Sequence, residues 1–171
     1  MIKKFENNDI NTVMKIWKNE NIKAHKFISE EYWKSNYNFV KEVLPNAEIY
    51  VYIIKEKIVG FIGLNDNYIE GVFVDTNNQS RGIGTSLLNK VKENKDNLIL
   101  RVYKKNINAI SFYKKNGFVI TNENIDENTN EIEYTMIWEK WGKKKNKEAY
   151  NQNTIYNIKS SDLLKLIFRK L

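Results

Sequence analysis

The chain has 171 residues with 28 Lys and Arg against 21 Asp and Glu, a net charge of +7, no Cys and a single His. That length suits one domain with its own core; the missing Cys excludes disulfides, thiol nucleophiles and thiolate metal sites, and the lone His25 leaves no ligand set for zinc, so no metal is expected. The excess charge is local: residues 140–171 hold nine basic and two acidic side chains, leaving 19 of each in residues 1–139, so the basic balance says nothing about what the body binds. No apolar run reaches membrane-spanning length and no hydrophobic signal segment follows "MIKKFENND", which predicts a cytoplasmic protein without a membrane span.

In chain order, "MIKKF" opens a sheet. Asp9 is placed to cap a helix running to about Glu20, with Ile10, Val13, Met14 and Trp17 along one stripe. A second helix starts near Ser29, with Glu30 and Glu31 complementing its dipole, and must stop before Pro45, the only proline. The period then shortens. "EIYVYII" (48–54), "IVGFIGL" (58–64) and "YIEGVFV" (68–74), separated by "KEK" and "NDN", read as consecutive strands. A helix in "GTSLLNKVKEN", a strand "LILRV" (98–102), a helix "NINAISFYKKN" (106–116) ended by Gly117, and strands "FVITNEN" and "EIEYTMIW" complete the order. Helices, then an antiparallel run, then β-α-β-α predict an α/β (α+β) three-layer sandwich rather than a doubly wound sheet.

Gly82 and Gly84 fall where a strand has ended and a helix begins. Such a helix start leaves backbone N–H groups unpaired and attracts anions, and glycine permits close approach; a tight turn without a ligand satisfies the same pattern. A P-loop would need Gly and Lys where Leu87 and Leu88 stand, and the dinucleotide fingerprint needs its third Gly at Leu87, so both are excluded. What remains is Gln79-x-x-Gly82-x-Gly84.

That segment, followed by Asn106-x-x-Ala109-x-x-Phe112-Tyr113-x-x-x-Gly117-Phe118, resembles the two signature segments of the GNAT superfamily of acetyl-CoA-dependent N-acetyltransferases over roughly residues 1–139. "AHKFISEEYW" (24–33), "LPNA" and "TMIW" further resemble the small bacterial YjaB/YiaC-type members. The resemblance implies a mainly antiparallel sheet of about six to seven strands, splayed between the fourth and fifth, with helices on both faces. It implies an acetyltransferase domain over 1–139 and direct transfer of acetyl, without an acyl-enzyme, to a primary amine of a protein lysine, a protein N-terminus or a small molecule. Coenzyme A would then lie along Phe73 and Val74, its diphosphate on the turn formed by Gln79, Arg81, Gly82, Ile83, Gly84 and Thr85, its arm near Asn106 and Ala109, and its sulfur beside Tyr113 as general acid.

For the base, Glu70 shares strand parity with Val72 and Val74 and would face the cleft, acting through a water. His25 is the alternative, with an ordinary pKa near neutrality. His25, Phe27, Tyr32 and Trp33 are the acceptor-binding candidates. In the tail, Ser160 or Ser161 caps "SSDLLKLIFRKL", whose Leu163, Leu164, Ile167, Phe168 and Leu171 form an amphipathic stripe after a basic linker. It would fold back on the domain, join a homodimer or meet an anionic surface. A nucleic-acid-linked GNAT that acetylates aminoacyl-tRNA, or a CoA-binding regulatory protein, is the alternative function.

Overall fold

A computed structural model describes residues 1–140. The tail, from residue 141 onward, lies outside the described residues, and with it the expected amphipathic helix. After β1 (Ile2–Lys4), a 3-10 turn at Asn7–Asp9 leads into α1 (Ile10–Ala24). There follow α2 (Glu30–Val43), β2 (Glu48–Ile54), β3 (Lys57–Asn65), β4 (Tyr68–Val74), α3 (Ile83–Lys92), β5 (Asn97–Tyr103), α4 (Ile107–Lys115), β6 (Val119–Asp126) and β7 (Glu131–Glu139). The strands join in one seven-stranded sheet, order β1-β2-β3-β4-β5-β7-β6, antiparallel at every junction except β4–β5.

Local chemistry sets the element ends. Ser29 Oγ accepts the Tyr32 N–H and starts α2. Asp9 instead accepts the Glu6 N–H (3.0 Å), fixing the turn before α1 rather than α1 itself. α1 also runs four residues beyond the expected end at Glu20. Glu20 and Asn21 are polar but buried, so they continue the inward stripe and do not end it.

The two faces of the sheet carry separate cores. Trp17, Trp33, Val40, Ile49, Val51 and Phe61 pack α1 and α2 on one face, with the Trp17 and Trp33 rings edge to face at 6.2 Å. Leu87, Leu88, Ile62, Leu64, Leu100 and Tyr113 pack α3 and α4 on the other. Each such side chain stabilises the fold by about 1.5–3 kcal/mol through removal from water. Among the described residues no helix is long and apolar enough to cross a membrane.

Two irregularities position the site. β4 and β5 meet at one register, Tyr68 opposite Ile99, stitched by the Ile99 N–H to the Asn67 carbonyl (3.0 Å) and by Asn67 Nδ2 to Asn97 Oδ1 (2.5 Å). Beyond it, β4 stays with β3 as far as Val74 and β5 stays with β7, so the parallel pair opens. The second irregularity is a bulge in β4: Gly63 faces Gly71 and Leu64 faces Ile69, leaving Glu70 as the extra residue. The bulge resets the alternation. Ile69, not Glu70, joins the core against which Val72 and Val74 pack, which corrects the parity that placed Glu70 with them.

Phe61 is fully buried and stacks on Phe73 of β4 at 4.9 Å, so it ties the open strand to the α1–α2 core. Phe61→Ala is expected to cost about 3–5 kcal/mol, read as a lowered denaturant midpoint.

Candidate active site

At the end of β4 the chain passes through a 3-10 turn, Thr76–Asn78, and then two left-handed residues, Ser80 (φ 61°) and Gly82 (φ 76°), before α3 begins. Gly82 is the N-cap, and no side chain caps the helix start. Its amides therefore form an uncapped donor cluster of the kind that holds phosphate. The two glycines also meet different needs of the protein itself. A Cβ on Gly82 would meet nothing within 4 Å, so glycine is needed there for its backbone angle. A Cβ on Gly84 would come 3.0 Å from the Phe112 ring, so its absence lets α4 close on the first turn of α3. Ile83 is buried and can offer a ligand only its main chain, whereas Arg81 and Thr85 are exposed beside the turn. The Gln79 side chain, expected at the cofactor, is committed to the protein. Its Nε2 donates to Glu20 Oε2 (3.2 Å) and to the Val74 carbonyl (2.9 Å).

Across the opening, Asn106 is the N-cap of α4, its Oδ1 accepting the Ala109 N–H at 3.1 Å. Two turns later Tyr113 is buried, with its phenol hydrogen-bonded to the backbone of Val72 on the open stretch of β4. Burial pushes its pKa above the ordinary phenol value, and the Val72 bond opposes that rise, as an N–H donor to the phenol oxygen does. The hydroxyl proton is thus retained. Phe73 and Val74 are half-buried along the same strand.

The acceptor candidates divide. His25 ends α1; its Nδ1 donates to the Asn21 carbonyl (3.1 Å) and its Nε2 lies 3.1 Å from Asn106 Nδ2, which donates to it. Both ring nitrogens are occupied, and burial lowers the pKa to about 4, so His25 is neutral and has no lone pair for an incoming amine. That removes it as the base. Trp33 is fully buried in the α1–α2 core and stacks under the His25 ring at 5.2 Å, so it supports the site from behind and does not line it. Phe27 packs edge to face on Tyr103 (5.6 Å), and Lys105 Nζ stands 5.3 Å above the Phe27 ring. The Tyr32 hydroxyl is buried with no hydrogen-bond partner among the described residues, and burial followed by the nearby Asp126 charge raises its pKa. Glu70 is buried at the bulge, two residues from the point where β4 and β5 part.

An acetyltransferase (GNAT) domain family matches residues 12–137. The chain belongs to the GNAT acetyltransferases. This GNAT enzyme is 29% identical over 140 residues to the peptidyl-lysine N-acetyltransferase YiaC of Escherichia coli K12, spanning 81% of this chain and 96% of that relative. Its fold is similar to the solution structure of apo YjaB from Escherichia coli, with a TM-score of 0.72 at 24% identity, over 81% of this chain and 96% of that one. A Bacillus anthracis protein described as a streptothricin acetyltransferase, solved with acetyl coenzyme A, matches with a TM-score of 0.51 at 28% identity, over 55% of this chain and 62% of that one.

Several residues of this GNAT site escaped the sequence reading. Glu20 accepts from Lys23, Thr76 and Gln79, and Tyr103 donates to Asp126 Oδ2 (2.6 Å) while touching His25 and Phe27. Glu20 left a trace: it stands three residues after Trp17 and seven after Val13, a stripe position where a carboxylate is out of place. Among the described residues no group of three or more acidic or His side chains is placed to hold a metal.

The lowered His25 pKa has a sign. Between an unfolded value near 6.5 and the folded value of about 4 the unfolded chain binds the extra proton, so the neutral ring's contribution is complete above the unfolded pKa and is lost as pH falls toward the folded one. The melting temperature is expected to drop over that window, and His25→Phe is expected to flatten that part of the curve in calorimetry.

Proposed function

We propose that this enzyme transfers the acetyl group of acetyl-CoA directly to the ε-amine of lysine side chains in proteins. The observation that carries the reading is the Tyr113 phenol, held by the Val72 backbone on the stretch of β4 that has parted from β5, with the uncapped start of α3 beyond that strand's end. The opening, the left-handed Gly82 turn with free space over it, and the uncapped amides together fit a long ligand with an amide-bearing limb and a diphosphate end. Acetyl-CoA supplies the activated acyl group as a thioester.

The residues divide the proton work. The amine must attack as the neutral base, and Glu70, buried where the strands part, takes its proton through a water. The amine nitrogen bonds to the acyl carbon as the carbon–sulfur bond breaks. Tyr113 gives its proton to the departing thiolate, whose thiol has a pKa near 8.5 by analogy with cysteine, and regains one from solvent, while the nitrogen sheds its second proton to water, so an amide and a free thiol result. The main-chain donors at residues 81–85 and the Asn106 turn hold the cofactor's two ends, and Phe73 and Val74 border its limb.

Lysine as acceptor is supported by the chemistry opposite the cofactor. Phe27 and the neutral His25 ring form a half-buried aromatic patch over the buried Tyr103, whose hydroxyl is bonded to Asp126 and whose neighbour across β5–β7, Glu133, is ion-paired with Arg101. Such a surface suits an aliphatic chain ending in an ammonium, and Lys105 already lays its ammonium over Phe27. The name of the relative YiaC points the same way.

In a thiol-release assay with acetyl-CoA and lysine peptides, Tyr113→Phe is expected to lower kcat by about 10²-fold or more while coenzyme A affinity by calorimetry changes little. An unchanged kcat would remove Tyr113 as the acid, and a wild-type protein without measurable acetyl-CoA affinity would remove the reading altogether.

A further inference from the structure

Because β4 and β5 are joined at one register, the sheet itself does not fix how wide their open end stands. The last turns of α1 reach both margins. On the β4 side, Glu20 is 7% exposed and its carboxylate is filled by four donors. Oε1 accepts Lys23 Nζ (3.0 Å) and the Thr76 N–H (3.3 Å), and Oε2 accepts Thr76 Oγ1 (2.8 Å) and Gln79 Nε2 (3.2 Å). Since Gln79 also reaches the Val74 carbonyl, one carboxylate binds together the strand end, the 3-10 turn and the approach to Gly82. On the β5 side, His25 accepts Asn106 Nδ2, whose own Oδ1 caps α4, the helix that carries Tyr113.

Glu20 and His25 are five residues apart, about 7.5 Å along a helix axis; Glu20 lies in the last turns of α1 and His25 is the residue that caps its end. Asn21 locks that end further: its carbonyl accepts both the His25 N–H (2.9 Å) and Nδ1. We propose that Glu20 and His25 are positioning residues that form a brace across the splay. Glu20 holds the diphosphate turn, His25 holds the first turn of α4, and α1 fixes the distance between them. The proposal rests on the reading that acetyl-CoA enters the splay and adds to it what keeps the splay at the width the thioester limb requires.

Two thioesters separate the two ends of the brace: acetyl-CoA, and S-acetylpantetheine, which has the limb but no diphosphate. Glu20→Ala is expected to raise KM for acetyl-CoA about tenfold and leave KM for S-acetylpantetheine unchanged, because the hydrogen bonds lost shape only the diphosphate turn. Glu20→Gln, which keeps an accepting oxygen, should fall between. His25→Phe, which keeps the ring on Trp33 but loses the acceptor, should raise KM for both thioesters alike, and His25→Gln, whose carbonyl can accept the Asn106 amide, should restore both. Variants that fold with native circular dichroism yet keep the wild-type KM for acetyl-CoA overturn the brace. So does a Glu20 variant that penalises both thioesters equally. Amide exchange tests it without turnover: protection at residues 76–85 should fall in the Glu20 variants and at 106–110 in His25→Phe, and unchanged protection overturns it even if the proposed reaction itself fails.

Discussion

A parallel strand pair that forms one register and then separates is the constraint on which the rest of this protein depends. Backbone N–H and C=O groups in a sheet are strong polar groups that must find partners, and here β4 between its bulge and Val74 is paired on one side only. The protein satisfies part of that demand itself, through Tyr113 at Val72 and Gln79 at Val74. The remainder is what an extended, amide-bearing ligand can satisfy. The stitch at Asn67, Ile99 and Asn97 closes one end of the opening, and the uncapped start of α3 lies beyond the other.

Charge is distributed around this opening with the same economy. The group given the acid's task, Tyr113, is kept protonated by burial, and the one histidine is kept neutral by burial with both nitrogens committed. Carboxylates occupy the other roles: Glu20 is saturated by donors, Asp126 is fixed by Tyr103 and by Asn128, and Glu133 is held by Arg101. Glu20, Asp126 and Glu133 thus each have a partner set that defines a direction, and directions are what a positioned reaction needs.

Much of this could be read from the chain. The strands 48–54, 58–64 and 68–74 appear with bounds within a residue of those expected, because strict alternation and polar turns act locally and need no tertiary information. The Asn106 cap and the left-handed Gly82 and Gly117 are likewise local demands met by local residues. The misses share a cause. Whether Glu70 is in phase with Val72 depends on how β3 sits beside it, and a bulge is a property of the pair rather than of either strand. Tyr103 meets Asp126 only because β7 lies between β5 and β6, an order that chain sequence does not display. Glu20 and Asn21 resembled the polar end of a helix, whereas the turn at Thr76 and Gln79 makes that polarity a buried contact. Trp33 erred in the opposite sense: an aromatic residue near an expected pocket was core, as most large aromatics on an amphipathic helix are.

The sheet divides the protein's apolar mass into two halves that do not share side chains, α3 and α4 closing one and α1 and α2 the other. The elements assigned to the cofactor lie in the first half and most of those assigned to the amine lie in the second. Substitutions that reshape the amine's surroundings can therefore accumulate over generations in α2 and in the 126–130 link without disturbing the layer that all users of the same thioester must keep. The last turns of α1, which serve both halves at once, lack that freedom to drift, as do Trp33 beneath His25 and Phe61 beneath Phe73.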